Sequence, residues 1–368
     1  MSNKRVAIIF GTRPELIKLA PLIHQLKKSA HILVNVINTG QHLELIQSVM
    51  QDFNIHVDLH LSVMKPQQDL SELTAELLIR LRNWFQEQPV DLVVVQGDTT
   101  TALTGALAAS YFKIPVLHVE AGLRSLNLLE PFPEEMNRKL ITVMARYHFA
   151  PTKRAVEYLL AEGVPQAQIF QVGNTAIDAI HYLIKHSNLA NKSVVSGLDL
   201  NRKLVLITCH RRENFGEPLI RISQAVTQLV IQYPSIQFVY PVHPNPNIRN
   251  QVSKIMVADN IYLIEPLSYA DFVKLMSVAS LILTDSGGVQ EEATVLNVPL
   301  LILRNQTERQ ETVDMGLGQC VGTDVDHIVS SAKKILEGET LRQLPDTYPY
   351  GDGTAALKIA EKITEFLA

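Results

Sequence analysis

The sequence predicts an α/β protein with two doubly wound domains, each built on a parallel sheet. Continuous apolar runs alternate with amphipathic helical stretches, which is typical of parallel strands that are buried on both faces. A chain of 368 residues is also too long for one comfortable hydrophobic core. A second series of strands begins near residue 203. We therefore place the first domain at residues 1–172 and the second at residues 173–353.

The predicted strands follow one another in a regular order. They are residues 6–10, 32–38, 92–95 and 114–119 in the first half, and 204–207, 237–240, 261–264, 281–283 and 299–303 in the second. The segment 172–200 connects the halves, and the last helix, residues 354–368, is predicted to pack back on the first domain. Ligands bind at the carboxyl ends of strands in such sheets, so a cleft between two facing sheets is the expected active site.

Composition excludes several classes of partner. The chain is 46% hydrophobic and 19% charged, has a net charge of −4 and contains no long basic run, so nucleic acid and membranes are not expected as partners. Cys209 and Cys320 lie in no metal-ligand spacing and indicate a reducing compartment. The apolar run at residues 6–10 is too short for a signal peptide, and no run reaches membrane-spanning length. We therefore expect a cytoplasmic protein.

The stretch 281–292, LILTDSGGVQEE, is typical of an anion-binding turn. An apolar strand ends at Thr284-Asp285, Ser286-Gly287-Gly288 form a small-residue turn, and a helix begins there. Turn amides and the helix dipole then face one point, and glycine allows a ligand to approach the backbone closely. The alternative is a glycine-rich turn that serves packing alone.

Charged residues follow several other predicted strands. Asp98 and Glu120 follow strands that are expected to be neighbours, and Glu134 comes from a proline-stiffened loop. Crowded carboxylates raise one another's pKa, so one can hold a proton while another accepts one, which suits proton abstraction from carbon. Each residue also has a local explanation: Asp98 could cap the next helix, and Glu120 could pair with Arg124. No dinucleotide fingerprint, P-loop or Cys/His cluster occurs, so we expect no cofactor and no metal.

Motifs along nearly the whole chain resemble those of the non-hydrolysing UDP-N-acetylglucosamine 2-epimerases. The matching segments include GTRPELIKLAP (11–21), QGDTTTAL (96–103), HVEAGLRS (118–125), PFPEEMNRK (131–139), HRRENFG (210–216) and LTDSGGVQEEA (283–293). The resemblance implies two facing Rossmann-like domains, as in the nucleotide-sugar glycosyltransferases of GT-B type, and a homodimer. It also implies epimerisation of UDP-GlcNAc to UDP-ManNAc without a cofactor. In this chemistry UDP is eliminated to give 2-acetamidoglucal and is then added back, which supplies ManNAc-type sugars for cell-surface polysaccharides.

The resemblance also implies roles for individual residues. Asp98, Glu120, Glu134 and His210 match positions of the catalytic site. Residues that would bind the substrate are Arg13, Lys18, Arg138, His243, Phe272, Ser286, Gly287, Gly288, Glu292 and Arg309. It does not identify the carboxylate that takes the C2 proton.

Two departures from the family pattern affect regulation and the sugar site. Gln41, His42 and Gln68 match a region that binds a second, activating UDP-GlcNAc in bacterial members, but Leu43 and Gln67 stand where arginine occurs. Ser125-Leu126-Asn127 replaces the usual Thr-Gly-Asp/Asn, so the sugar could carry a modification or the loop could pack differently. The alternatives are a hydrolysing epimerase that releases ManNAc, an epimerase for a modified UDP-hexosamine, a GT-B glycosyltransferase and a nucleotide-sugar sensor.

Overall fold

The chain forms two compact units, which are described separately below. The computed structural model describes residues 3–40, 43–65, 67–186, 195–209, 211, 214–242, 248–249, 252–253, 257–338 and 348–368, without the side chains of 43–45. The first unit is Met1–Tyr182 with Tyr350–Ala368, and the second is Leu183–Pro349. The division lies ten residues beyond the predicted boundary at 172 (182 − 172 = 10) and falls inside a helix.

The first unit is built on a seven-stranded parallel sheet in the order β3-β2-β1-β4-β5-β6-β7. The strands are β1 Lys4–Phe10, β2 Ile32–Asn38, β3 Leu59–His60, β4 Leu92–Gln96, β5 Val116–Val119, β6 Tyr147–Ala150 and β7 Ile169–Gln171. The helices are α1 Arg13–Lys27, α2 Leu43–Asp52, α3 Leu70–Glu87, α4 Thr100–Tyr111, α5 Glu134–Met144, α6 Lys153–Ala161 and α7 Thr175–His186, with a 3₁₀ turn at Gln166–Gln168.

Small side chains on α4 bring this helix close to β4 of the sheet. Its buried face consists of alanine, threonine and glycine. A Cβ atom added to Gly105 would lie 3.1 Å from Cγ1 of Val95 on β4, so the residue at this position must be small. The close fit fixes the β4–α4 turn, because packed interiors leave little room for adjustment.

The second unit is built on a six-stranded sheet in the order β10-β9-β8-β11-β12-β13, also with parallel pairs throughout. The strands are β8 Leu204–Thr208, β9 Gln237–Pro241, β10 Ile261–Ile264, β11 Leu281–Thr284, β12 Leu300–Ile302 and β13 Gly318–Cys320. The helices within the described residues are α8 Glu217–Gln232, α9 Tyr269–Val278, α10 Gly287–Val295, α11 Gln310–Asp314 and α12 Val325–Leu336. The prediction of two parallel sheets, each covered by helices, is confirmed.

The last helix, α13 (Ala355–Leu367), belongs to the first unit and packs against α1. The chain that leads into it is held by two hydrogen bonds: Asn174 N donates to Tyr350 O at 2.7 Å, and Ala356 N donates to Asp178 Oδ1 at 2.9 Å. Burial raises the pKa of Asp178 to about 6, against the effect of hydrogen bonds from the Ala356, Ala355 and Asp178 amides. Neither α13 nor any other helix in the described ranges is long and apolar enough to cross a membrane.

Candidate active site

Glu120 lies in a polar cluster at the carboxyl end of the first sheet. It follows β5 directly and has a φ of +65°, a left-handed conformation that costs a non-glycine residue free energy. Its carboxylate oxygens both accept hydrogen bonds from Lys18 Nζ at 2.7 Å, and Oε2 also accepts one from Gln96 Nε2. Gln96 ends β4, which pairs with β5. These contacts thus hold the carboxylate in place and stabilise its charge.

Asp98 lies on the turn after β4, at the neighbouring strand end. The guanidinium of Arg138 approaches Asp98 Oδ2 with Nε at 2.9 Å and Nη2 at 2.6 Å. Asn137 Nδ2 donates to the backbone carbonyl of Asp98 at 2.8 Å, and His118 Nε2 donates to that of Gly97 at 2.7 Å. The position of Asp98 is therefore fixed by Asn137 and His118, which bond to the backbone, and by Arg138, which bonds to the carboxylate.

Arg138, which is predicted to bind substrate, contacts two carboxylates within the protein. Besides Asp98, it contacts Glu135, with Nη1 at 2.9 Å from Oε2. Burial alone would lower the pKa of Arg138, but the carboxylates of Asp98 and Glu135 raise it above its usual value. Substrate binding by Arg138 stays a prediction, and the structure adds a direct contact with Asp98, a candidate acid or base. The spacing of Glu135 and Arg138, three residues apart on a helix, was a signal for this pair.

Glu15 is a buried carboxylate that joins the start of α1 to the Asp98 turn. Oε2 accepts hydrogen bonds from Gly11 N, Thr12 N and Thr12 Oγ1 at 3.1, 2.8 and 2.7 Å. Oε1 accepts one from Thr99 Oγ1, at 2.7 Å, next to Asp98. Burial raises the pKa of Glu15 to about 7 although these four donors act in the opposite direction. Sequence reasoning grouped Glu15 with the charged residues that follow the strands but gave it no role.

Two buried histidines lie side by side behind these carboxylates. His118 on β5 is opposite His148 on β6 in the sheet register. Burial lowers the pKa of His118 to about 3 and that of His148 to about 4. Both imidazoles are therefore neutral near pH 7, which leaves proton exchange at that pH to other groups.

Glu134 and Arg13 each begin a helix of the first unit. Glu134 is the first residue of α5, and its Oε2 atom is buried without a hydrogen-bond partner among the described residues. An unpaired buried carboxylate oxygen is uncommon in folded proteins and is typical of functional sites. Arg13 is half-buried at the first residue of α1, where its charge adds to the positive end of the helix dipole.

The local explanations considered for Asp98 and Glu120 are wrong. Thr99, not Asp98, caps α4, because its hydroxyl accepts a hydrogen bond from Ala102 N. Arg124 pairs with Glu162 of the chain after α6, at 2.8 Å from Nε and 2.7 Å from Nη2, rather than with Glu120. The two carboxylates are thus held by long-range partners instead of by their sequence neighbours.

In the second unit, Ser286 occupies the N-cap position of α10 without a side-chain capping hydrogen bond, and the two glycines after it form the first residues of the helix. The Ser286 amide donates to Thr284 Oγ1 at 3.0 Å. Asp285 is fully buried, and its Oδ2 accepts hydrogen bonds from Arg211 N and Asn214 Nδ2, both at 2.9 Å. A Cβ added to Gly288 would contact no atom within 4 Å. The turn is therefore rigid, and its glycines leave the amides approachable.

Arg309 lies beside this turn and is surrounded by other charges. Its Nε donates to the buried carboxylate of Glu291 at 2.6 Å, and its Nη1 lies 3.5 Å from Glu308 Oε1. Burial would raise the pKa of Glu308, but Arg309 and then Arg304 lower it to about 2. A Cβ added to Gly287 would lie 3.2 Å from Glu308 Oε1 and 3.6 Å from the Arg309 guanidinium carbon. Both charges of this ion pair therefore lie beside the helix N-terminus.

Glu292 and Phe272 are connected through α9. Tyr269 Oη on α9 donates to Glu292 Oε1 at 2.8 Å. Phe272 lies three residues after Tyr269 on the same helix, and so on the neighbouring part of its surface, and is half-buried. The structure thus brings a carboxylate of α10 and an aromatic residue of α9 into one part of the second unit.

Four predicted site residues, His210, His243, Gln41 and His42, lie outside the described residues. Gln68 is described, and its Oε1 accepts a hydrogen bond from Lys65 N at 3.2 Å within a local turn. Among the described residues, no group of three or more His, Cys, Asp or Glu side chains could hold a metal ion.

The chain is similar to known proteins over its whole length. Residues 24–364 match the family model for UDP-N-acetylglucosamine 2-epimerase. A UDP-N-acetylglucosamine 2-epimerase of Yersinia pestis is 44% identical over 370 residues, with 98% of each chain covered.

Two solved structures are similar in both fold and sequence. The UDP-GlcNAc 2-epimerase of Neisseria meningitidis bound to UDP-GlcNAc has a TM-score of 0.90 and 40% identity, covering 98% of this chain and 100% of that chain. The S. aureus MnaA–UDP co-structure has a TM-score of 0.89 and 42% identity, covering 99% and 97%. The expectation of two Rossmann-like domains of GT-B-like type is confirmed by these neighbours. The chain belongs to the UDP-N-acetylglucosamine 2-epimerase family.

Proposed function

We propose that this chain interconverts UDP-GlcNAc and UDP-ManNAc by inversion at C2, without a cofactor. Family membership supports the proposal, as do relatives named for this activity. The observation that carries it is the pair of carboxylates at adjacent strand ends: Asp98 after β4 and Glu120 after β5, each in direct contact with a cation. Two positioned carboxylates are what a reaction needs when one proton must leave carbon and another must return.

The reaction removes a hydrogen that is not acidic by itself. A base takes the C2 proton, the electron pair of that C–H bond forms a C1–C2 double bond, and the C1–O bond breaks to release UDP. The neutral intermediate is 2-acetamidoglucal. An acid then delivers a proton to the opposite face of C2, and a UDP oxygen attacks C1. No electrons are gained or lost over the cycle, so the reaction requires no oxidant or reductant.

We assign the proton transfers to the first unit. Asp98, Glu120 and Glu134 are the candidate acids and bases, with His210 as a fourth group from the sequence match. Lys18 stabilises the charge of Glu120, and Arg138 holds Asp98. Glu134 has a buried oxygen with no hydrogen-bond partner among the described residues, so this oxygen is available to bind the substrate. Arg13 adds positive charge at the start of α1.

We assign nucleotide binding to the second unit. Ser286, Gly287 and Gly288 offer backbone amides at the start of α10, where the helix dipole favours phosphate. Arg309 adds a guanidinium beside Gly287, and His243 is a further candidate from the sequence match. Glu292 would accept hydrogen bonds from the ribose hydroxyls, and Phe272 would lie beside the uracil. These residues bind charge that UDP carries both before and after the C1–O bond breaks.

The direct test is a product assay with a small panel of UDP-hexosamines, followed by proton NMR. The proposal predicts a mixture of UDP-GlcNAc and UDP-ManNAc from either starting epimer. Free ManNAc with UDP would identify a hydrolysing enzyme instead, and turnover of a modified hexosamine alone would change the substrate. Binding without any turnover would contradict the proposal and indicate a sensor.

We further propose that the protein is a homodimer that contacts its copy through α5. Met136, Leu140 and Val143 lie at spacings of four and three residues on this helix and are 36%, 45% and 85% exposed. An exposed apolar stripe of this kind is typical of a subunit interface. Val143→Glu should yield monomers in sedimentation velocity, whereas Ile231→Glu, at a 72% exposed position of α8, should leave the dimer intact. A dimeric Val143→Glu variant would overturn this interface.

We also propose that the enzyme works in the cytoplasm and supplies ManNAc-type sugars for cell-surface polysaccharides. A UDP-activated hexosamine is a glycosyl donor, so the enzymes that consume the product are expected to be glycosyltransferases or oxidoreductases of the sugar.

A further inference from the structure

Glu135 is a fully buried carboxylate that the proposed chemistry does not use directly. It is the second residue of α5, next to Glu134. Its Oε2 accepts hydrogen bonds from Arg138 Nη1 at 2.9 Å and from Ser125 N at 3.0 Å, and its Oε1 accepts one from Leu126 N at 3.3 Å. All three partners are donors, which suits a carboxylate because its oxygens accept hydrogen bonds.

Arg138 connects this buried carboxylate to Asp98. Its guanidinium is planar, with Nε and Nη2 directed to Asp98 and Nη1 directed to Glu135. Because the guanidinium is rigid, a partner on one edge sets the orientation of the other edge. Glu135 therefore determines where the donors that hold Asp98 point.

The same carboxylate also fixes the chain that follows Glu120. Leu126 has a φ of +65°, and consecutive amides of Ser125 and Leu126 both point to Glu135. Consecutive amides in such a turn form a concave anion site, which Glu135 fills. Glu135 thus contacts both the segment after β5 and Arg138, which holds Asp98 after β4.

We propose that Glu135 is a positioning residue for the epimerisation: it acts through Arg138 to hold Asp98 in place. This inference rests on the proposed function of the site. Glu135 is separated from Asp98 by Arg138, so it exchanges no proton with substrate. Its effect is on the geometry of a reacting group, where a displacement of about 1 Å costs roughly 10²-fold in rate.

The test compares two isosteric variants that each remove one carboxylate partner of a buried arginine. Glu135→Gln places an amide donor against Arg138 and the Ser125 amide. Glu162→Gln does the same to Arg124, whose side chain is fully buried in the same unit but has no contact with Asp98. We expect Glu135→Gln to lower kcat roughly 10²-fold with KM within threefold, and Glu162→Gln to keep kcat within twofold at a similar loss of Tm. Equal kcat values for the two variants would overturn the proposal.

A double-mutant cycle tests whether the effect passes through Arg138. If it does, Glu135→Gln combined with Arg138→Gln should lower kcat no further than Arg138→Gln alone, and additive losses would contradict the proposal. If Glu135→Gln does not fold, Glu135→Asp replaces it, since the shorter side chain keeps the charge but withdraws it from Arg138. A kcat equal to that of the wild type would then overturn the proposal.

A second readout does not depend on activity. In a crystal structure of Glu135→Gln, Arg138 Nη2 should have moved out of hydrogen-bond distance of Asp98, and an unchanged contact would overturn the proposal. Turnover by the wild type and by Glu162→Gln tests the proposed function separately. A failure of either idea is therefore visible without the other.

Discussion

The two units place different chemistry at the carboxyl ends of similar parallel sheets. In the first unit the strand ends carry carboxylates, and each is held by a cation: Glu120 by Lys18 and Asp98 by Arg138. In the second unit the corresponding turn carries glycines, with Arg309 beside them. Held carboxylates suit the exchange of protons, whereas open amides and a guanidinium suit a fixed negative charge. One sheet architecture thus serves both tasks, and the residues of the turns after the strands decide which task it serves.

The largest expected effect is that of removing a carboxylate from the first unit. Asp98→Asn should lower kcat by roughly 10³-fold, since an amide neither takes a proton nor forms an ion pair with Arg138. Steady-state kinetics with UDP-GlcNAc measure the loss, and UDP affinity should be nearly unchanged. The control is Asp326→Asn, an exposed position on α12. A kcat close to that of the wild type would exclude Asp98 from the mechanism and contradict the division of roles between the two units.

Protonation of Glu15 is expected to contribute about 3 kcal/mol to the free energy of unfolding, because burial raises its pKa from 4.5 to about 7. The folded protein binds this proton more tightly than the unfolded chain does, so the contribution of Glu15 to stability is present below pH 4.5 and is lost as the pH rises to about 7. Glu15→Gln resembles the protonated form and should remove this slope.

Urea unfolding at pH 5 and pH 8 measures the difference. The free energy of unfolding of Glu15→Gln should exceed that of the wild type at pH 8 and match it at pH 5. Parallel pH profiles would show that Glu15 keeps its charge at both values. In that case the four hydrogen-bond donors outweigh burial.

In the second unit, Arg309→Ala should act on binding rather than on turnover. The Kd for UDP should rise roughly 10²-fold, because a cation is lost and the buried Glu291 is left without its ion-pair partner. At saturating substrate kcat should change much less. Arg249→Ala, which breaks an exposed ion pair with Glu265 in the same unit, is the calorimetric control. A large fall in kcat with an unchanged Kd would reverse the division of roles between the units.

The smallest expected effect concerns Leu126, where the family usually has glycine. Its φ of +65° strains a leucine, and its side chain is 70% exposed, so little packing is lost on removal. Leu126→Gly should therefore stabilise the protein by roughly 1 kcal/mol in thermal unfolding. Asn54→Gly, at a φ of +48°, should gain less, because asparagine tolerates this conformation. A destabilised Leu126→Gly would mean that the side chain makes a contact of its own.

The fold was largely predictable from sequence because buried parallel strands are continuous apolar runs. The strands Ile32–Asn38 and Ile261–Ile264 have the predicted bounds. Two short strands were missed, Tyr147–Ala150 and Gly318–Cys320. The first contains a buried histidine and the second a half-buried glutamine, and neither residue type signals burial in a sequence. Apolar periodicity carries no signal for such strands.

The motifs named candidate site residues, but they did not reveal how these residues pair. Motifs located Asp98 and Glu120, yet Lys18 lies 102 residues before Glu120. Arg138 was expected to bind substrate, and its contacts with Asp98 and Glu135 follow from the meeting of α5 with the β4–α4 turn. Contacts across such separations depend on tertiary packing, which a single sequence does not reveal.

The most direct test of the central claim is solvent exchange at C2. Wild-type protein and Asp98→Asn are incubated with UDP-GlcNAc in deuterated water, and deuterium at C2 is followed by NMR and mass spectrometry. We predict one deuterium at C2 in both recovered epimers with the wild type, and a rate at least roughly 10²-fold lower with Asp98→Asn. Epimerisation without deuterium at C2, or equal exchange in the two proteins, would contradict proton transfer by the carboxylates of the first unit.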